Sequence, residues 1–128
     1  MKTYFVVTGI VLNKGKILLL KKSPDDRNYP NKWSFCSGFV KEFEAAEDSV
    51  LREIKEETGL NARITRQGKI NEVFDNDKRW IIACYLCESS SRDVKLCHEN
   101  VEFKWVEKEE LKDFDFVPGL EKEIEALF

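Results

Sequence analysis

The 128-residue sequence lacks long hydrophobic runs and contains one histidine and three prolines. Its longest apolar runs, such as 17–20 and 81–86, fall far short of the roughly 20 residues that a membrane span needs. The N-terminus also lacks the apolar stretch and small-residue cleavage site of a secretory signal, so we expect a cytoplasmic protein with no membrane partner. The single histidine, His98, excludes mechanisms that need two.

The charge balance is slightly acidic, with 21 Lys+Arg against 24 Asp+Glu. Binding to a nucleic-acid polymer depends on many Lys and Arg side chains replacing counterions, so no such partner is expected. If phosphates bind here, we expect a metal ion to mediate. A chain of this length buries about two thirds of its surface on folding, and no linker or repeat interrupts it. The sequence therefore predicts one domain over residues 1–128.

The four cysteines could form a disulfide framework or, with His98, a zinc site, but neither fits well. Cys84 and Cys87 lie in a predicted strand at an odd separation, which directs their side chains to opposite faces. Zinc ligands must converge on one point. We therefore expect reduced thiols that pack as small apolar groups.

Hydrophobic periodicity and turn residues predict strands with a prominent central helix and a closing helix. The predicted strands cover residues 4–13, 16–22, 62–74, 78–88 and 101–106, with short extended structure at 32–40. The predicted helices cover 45–58, 108–113 and 118–127, the first stopped by Gly59. Turns are expected at 13–16 and 75–77. This order indicates an α+β or layered αβα domain.

Three acids of the central helix, Glu53, Glu56 and Glu57, fall within an arc of roughly 100° beside the apolar stripe. They precede the helix end, where the dipole disfavours negative charge. Arg52 and Lys55 are the only bases in that segment, and we expect local pairing to relieve the repulsion little. A solvated charged face is one interpretation. The other is a site for a hard divalent cation such as Mg²⁺ or Mn²⁺.

The segment as a whole favours the cation site. Gly38, Glu44 and the run 52–60, Arg-Glu-Ile-Lys-Glu-Glu-Thr-Gly-Leu, resemble the complete Nudix box, Gx5Ex7REUxEExGU, over residues 38–60. Seven fixed positions match by accident with a probability of roughly 10⁻⁹ per starting point. The resemblance implies a Nudix-type αβα sandwich with a mixed β-sheet, and hydrolysis of a nucleoside diphosphate linked to another group X.

The resemblance also implies roles for individual residues. Glu53, Glu56 and Glu57 match the family's metal-binding positions, and the Gly38 carbonyl matches a further ligand. Glu53 and Glu57 are the ligands we expect first. One of these carboxylates could instead deprotonate the attacking water; family members differ in which group does so, and Glu53 is our first choice. We call Glu53, Glu56 and Glu57 together the acidic ridge. Bound metal ions would make this ridge attractive to an anionic substrate. Mg²⁺ is the expected cofactor, with Mn²⁺ as the alternative.

Residues outside the ridge complete the candidate site. Arg52 and Glu44 match the pair that holds the loop against the helix, which preorganises the ridge. Glu99 is a candidate extra metal ligand or base before a Trp-containing strand, and Glu102 is the alternative, while both could simply be exposed. His98 is expected to be an ordinary surface residue.

Two positions depart from the common family pattern. The stretch before the box is Cys36-Ser37-Gly38 instead of Pro-Gly-Gly, and Phe43 stands where Gly is common. Both changes affect the loop and leave the acidic ridge unchanged. If these residues resist the backbone angles that glycine adopts, the loop shape and the choice of substrate would differ.

The nature of X is open at this point. Candidates for stacking on a base are Trp33, Phe35, Phe74 and Trp80, for which core packing is the ordinary alternative. Candidates for phosphate contact, none assigned, are Lys21, Lys22, Arg27 and Arg79. The proline that often marks ADP-ribose hydrolases, about sixteen residues after the second Gly of the box, is absent, since Phe74-Asp75-Asn76 stands there. The short length resembles MutT-like nucleoside triphosphate pyrophosphohydrolases. ADP-ribose or nucleotide-sugar hydrolysis and a non-catalytic nucleotide-binding module are the alternatives, and homodimerisation is left open.

Overall fold

The computed structural model describes residues 1–127, so Phe128, the last residue of the expected domain, lies outside the described residues. Eight strands and two α-helices follow the chain, with a 3-10 helix between the last strand and the last helix. In order they are β1 Lys2–Asn13, β2 Lys16–Lys22, β3 Trp33–Ser34, β4 Cys36–Phe39, α1 Ala46–Thr58, β5 Ala62–Gln67, β6 Asn71–Asp75, β7 Lys78–Ser89, β8 Asn100–Val106, the 3-10 helix Lys108–Asp113 and α2 Leu120–Leu127. None of the helices within residues 1–127 is long and apolar enough to cross a membrane.

The first hairpin forms as predicted and then opens. Lys14 and Gly15 both have positive φ, 48° and 81°, which is typical of a two-residue hairpin turn. β1 and β2 pair beside this turn, at Leu12 opposite Ile17. Farther from it, β1 pairs with β4, whereas β2 pairs with β3 and β8. Beyond the turn the sheet therefore divides into two branches, one that contains β4 and one that contains β3 and β8.

The sheet is mixed, as predicted. β1 and β7 run parallel from Lys2 opposite Lys78 to Leu12 opposite Glu88. The other paired strands are antiparallel, including β5 and β6 along β7. The mixed sheet is the one that the family resemblance implies.

Each face of the sheet has its own buried core. Val50 and Ile54 of α1 pack on one face, together with Cys87 of β7. Leu120 and Leu127 of α2 pack on the other face, together with Cys84. The layers are therefore αβα, and the prediction that Cys84 and Cys87 point to opposite faces is confirmed.

Two predicted boundaries were wrong. The single strand expected over 62–74 divides into β5 and β6, because the chain leaves the sheet after Gln67. Gly68 still donates its N–H to the carbonyl of Cys84, and a Cβ at Gly68 would come within 3.1 Å of Leu127. The last helix begins at Leu120, two residues later than expected, because Gly119 takes a positive φ of 95°.

Candidate active site

Helix α1 presents the acidic ridge because its apolar residues fix its rotation on the sheet. Val50 and Ile54 are fully buried. The helix ends at Gly59, whose left-handed backbone (φ 76°) lets its N–H bond to the carbonyl of Lys55, so the predicted stop is confirmed. On the adjoining side Glu57 is buried, with 7% of its surface exposed, Glu53 is half-buried and Glu56 is exposed.

The Arg52 side chain ties the loop before α1 to the helix. Its Nε donates to Glu44 Oε2 at 2.8 Å, and its Nη2 donates to Glu44 Oε1 at 3.0 Å and to the carbonyl of Phe39 at 3.2 Å. These hydrogen bonds lower the pKa of the Glu44 carboxyl to about 2 and raise the pKa of Arg52 above its usual range. The structure therefore joins Arg52 and Glu44 in a bidentate pair of high directionality.

The expectation that local pairing does little for the ridge was wrong. Arg52 Nη1 donates to Glu53 Oε1 at 2.6 Å and to Glu56 Oε2 at 3.2 Å. A guanidinium has five donors in a planar fork, so one Arg can serve three carboxylates despite the less favourable Arg-before-Glu order. Glu53 and Glu56 are thus partly neutralised, and this arginine makes no ion pair with Glu57.

The surroundings of the buried Glu57 carboxyl disfavour its ionised form. Its Oε2 accepts a hydrogen bond from the Ser37 N–H at 3.3 Å. Burial is the main cause that raises the pKa of the Glu57 carboxyl, and the neighbouring Glu53 and Glu99 raise it further, while Lys22 lowers it. Two adjoining carboxyl groups in a poorly solvated place require a proton or a cation between them.

Gly38 is required where the ridge meets the sheet. It lies in β4 opposite Val7, on the face that α1 covers. A Cβ added at Gly38 would overlap the carboxyl group of Glu53. The absence of a side chain therefore lets Glu53 lie directly against the β4 backbone.

The structure separates the two outer acids. The carbonyl of Glu99 accepts a hydrogen bond from the Ser23 N–H at 3.1 Å, which holds Glu99 beside the end of β2, and its charge acts on Glu57. Glu102 pairs with Lys21, whose ammonium lies over the ring of Trp33 on the α2 face of the sheet. Glu99 is thus on the side of the ridge and Glu102 is not, while both are exposed.

The departures in the loop have different structural outcomes. Phe43 takes the left-handed backbone that glycine favours, with φ 61°, and its side chain is fully exposed. Its loop therefore keeps a glycine-type turn with a strained residue. Ser37 contributes its N–H to Glu57, and Cys36 is buried in the core under α1.

The donor set fits a hard divalent cation, although the ridge is not closed around one. No group of three or more His, Cys, Asp or Glu side chains within residues 1–127 is already arranged to hold a metal ion. Arg52 contacts two of the ridge carboxylates, those of Glu53 and Glu56. Glu57 remains buried beside Glu53, and burial raises the pKa of its carboxyl; a divalent cation that displaced the proton would find the carboxylate oxygens that such cations prefer.

No role was assigned from the sequence to two charged residues that the structure buries fully or partly. Lys22 was one of four unassigned cations, although the alternation Leu18, Leu20, Lys22 already places it on the α1 face. Glu123 interrupts the apolar stripe of α2 and is 4% exposed, with one oxygen lacking a partner among the described residues. Of the candidate stacking rings, Trp33 and Phe35 are in the core, Trp80 stacks on Tyr4, and Phe74 is exposed.

Known proteins are similar to this chain over nearly its whole length. A model of the NUDIX domain matches residues 3–127. Nucleoside triphosphatase NudI of Klebsiella pneumoniae (strain 342) is 29% identical over 126 residues, covering 90% of this chain and 89% of that protein. The crystal structure of the MutT protein from Methanosarcina mazei Go1 superposes with a TM-score of 0.85 at 26% identity, covering 97% and 91% of the two chains. The NUDIX domain of Shewanella oneidensis NrtR, in complex with ADP ribose, gives 0.85 at 18% identity over 99% and 87%, and supports the fold alone.

Proposed function

This chain belongs to the Nudix family, and on that premise we propose that it hydrolyses nucleoside triphosphates to a nucleoside monophosphate and pyrophosphate. The similarity to a protein named nucleoside triphosphatase supports the triphosphate as substrate. The observation that carries the proposal is the burial of Glu57 against Glu53, with Glu99 nearby. Such a cluster repels a polyphosphate unless a cation lies between them.

Nudix hydrolases use divalent cations, and Mg²⁺ is the ion we propose here, with Mn²⁺ as a substitute. Glu53 and Glu57 would hold it, with the Gly38 carbonyl, Glu56 and Glu99 as further ligands. Glu53 would have to exchange its contact with Arg52 for the cation. When bound, a divalent cation neutralises charge on the phosphates and makes a coordinated water more acidic.

The protein residues supply positioning and proton transfer. A water oxygen forms a bond to phosphorus, the bridging P–O bond breaks, and the bridging oxygen leaves with the electron pair. Glu53 is our first choice to accept the proton of that water, which it would do instead of serving as a cation ligand. Arg52 and Glu44 keep the loop and the helix in register, so they act as positioning residues.

The test is a panel of nucleoside triphosphates, ADP-ribose and nucleotide sugars incubated with the purified protein, with Mg²⁺ or with a chelator. We expect Mg²⁺-dependent release of pyrophosphate and a monophosphate from at least one triphosphate. Products from ADP-ribose or a nucleotide sugar alone would replace the triphosphate proposal by its same-class alternative. Tight nucleotide binding by calorimetry, without turnover of any compound, would favour the non-catalytic module. The cytoplasmic location stays a prediction.

A further inference from the structure

Strand β8 forms an open edge of the sheet. It pairs with β2 along one side, and within residues 1–127 no other strand pairs with it. The ladder is regular from Val106 opposite Ile17 to Glu102 opposite Lys21, and the register shifts only beyond that point. The N–H and C=O groups on the outer side of this regular segment are therefore available to another extended chain.

The side chains of β8 are complementary to a second copy of the same strand. If two copies run antiparallel about a two-fold axis at Phe103, Glu102 of each copy stands opposite Lys104 of the other. Both charged side chains are exposed, on the face that carries α2, because Lys104 lies opposite the buried Leu19. On the other face the two Phe103 rings, each 37% exposed, would meet at the axis.

Neither of these charges forms an ion pair inside one chain. Glu102 stands opposite Lys21 in the ladder, but no ion pair joins them in the part of the chain that the structure describes. The ammonium of Lys104 lies over the rings of Trp33 and Phe114, at 5.7 and 5.6 Å from their centroids. These rings hold the charge of Lys104 at the surface beside β8. A second copy would therefore supply both charges with counterions without breaking an existing ion pair.

The opposite edge of the sheet is less suited to pairing with itself. It consists of β5 and β6, which both lie along β7. β5 is interrupted by a register shift between Ile64 and Arg66, and such irregularities protect an edge from pairing. β6 carries two acids, Glu72 and Asp75, and no base, so a second copy of it would bring like charges together. β8 is therefore the edge whose own sequence favours a second copy.

We propose that two copies of this chain associate through their β8 strands, which joins the two sheets across a two-fold axis at Phe103. This inference goes beyond the proposed function and does not depend on it. The main-chain hydrogen bonds supply affinity, and the two pairs of Glu102 with Lys104 fix the register. Because each copy contributes one short strand, we expect a reversible dimer with a dissociation constant on the order of 10 μM.

Reversal of the charges, followed by sedimentation equilibrium of the full chain, tests the pairing. Glu102→Lys brings lysines together and Lys104→Glu brings glutamates together, twice in each dimer. We therefore expect each single change to raise the dissociation constant roughly 10- to 100-fold. Glu102→Lys combined with Lys104→Glu exchanges the two charges, so that chain should dimerise like the parent. An equimolar mixture of the two single variants should form a heterodimer, because opposite charges then meet at both positions.

Glu72→Lys on β6 is the matched control, since it reverses an exposed acid at the other edge of the sheet and should leave the dissociation constant unchanged. Circular dichroism of every variant checks that the fold is retained. A parent chain that stays monomeric far above the expected dissociation constant would overturn the proposal. So would a dimer that neither single reversal weakens, or a doubly changed chain and a mixture that both stay monomeric.

Discussion

The two faces of the sheet each bury one glutamate beneath a helix, and the two differ in their neighbours. Glu57 on α1 and Glu123 on α2 are 7% and 4% exposed. Burial is the main cause that raises the pKa of both carboxyls. Glu57 adjoins Glu53, and the charge of Glu99 also raises its pKa. Among the described residues, Glu123 has one hydrogen-bond partner, the Thr8 hydroxyl, which donates to its Oε1 at 3.3 Å.

The two buried glutamates therefore differ in whether a second carboxyl group adjoins them. Glu57 adjoins a second carboxyl group, Glu53, so a cation that displaced the proton of Glu57 could be held by both. Glu123 can remain neutral by keeping its own proton, because no other acid adjoins it in a hydrogen bond. We therefore expect Glu57 to matter for activity and Glu123 for stability.

The largest effect should follow from Glu57→Gln. The change keeps size and removes the charge that would hold the cation, so kcat should fall about a hundredfold to ten-thousandfold in a pyrophosphate-release assay. Glu47→Gln, which alters an exposed acid in the first turn of the same helix, is the matched control and should keep nearly full activity. Near-normal turnover by Glu57→Gln would remove Glu57 from the site.

Thermal melting without metal distinguishes a variant that has lost a metal ligand from one whose fold is destabilised. Glu57→Gln should raise the melting temperature by roughly 2–5 °C, because it removes the cost of burying an ionisable carboxyl, a cost to which the adjoining Glu53 adds. Glu53→Gln should give no such rise, because it gives up a 2.6 Å ion pair with Arg52. A large drop for Glu57→Gln would show that Glu57 is structural.

The next largest effect is expected at Glu123, on the α2 face of the sheet. Burial raises the pKa of Glu123 from 4.5 to about 7. The folded protein then holds a proton that the unfolded chain releases, so this stabilisation is full below about pH 4.5 and is lost as the pH rises through 7. Glu123→Gln avoids the loss, and we expect it to stabilise the protein by about 1–3 kcal/mol at pH 8 relative to pH 5.

Urea unfolding of the parent and the variant at both pH values measures this difference. Glu125→Gln, at an exposed position of α2, is the control and should show a change within about 0.5 kcal/mol. Equal effects of Glu123→Gln at pH 5 and pH 8 would mean that Glu123 does not titrate in this range. Activity should be retained, which is the opposite of the result for Glu57.

Features determined by local sequence were predicted well. The Lys14–Gly15 turn and the helix stop at Gly59 depend on residues adjacent in the chain, and both formed as expected. The motif placed Gly38 and Glu53 in one expected ligand set, which stays a prediction, and a Cβ at Gly38 would overlap the Glu53 carboxyl. Features that depend on distant residues were not predicted, such as the break at Gly68, which accommodates Leu127.

The same distinction explains what was missed in the site. The sequence places Arg52 next to the ridge, but whether its guanidinium reaches one carboxylate or three depends on how the loop at Glu44 folds back. The burial of Glu123 depends on α2 packing over Thr8, which is 115 residues away. Periodicity could have placed both side chains on a face, and only the packed structure gives their partners.

The smallest effect isolates backbone strain in the loop on the α1 side. Phe43 has φ 61° and a fully exposed side chain, so its left-handed backbone costs about 1 kcal/mol with no packing in return. Phe43→Gly should stabilise the protein by about 0.5 kcal/mol, because glycine's greater freedom in the unfolded chain offsets part of the relief. Asn76→Gly, at another left-handed position (φ 56°) that asparagine tolerates, should gain less. If urea unfolding shows that Phe43→Gly gains no more than Asn76→Gly, the loop stores no strain, and the cost on this face lies in the carboxylates alone.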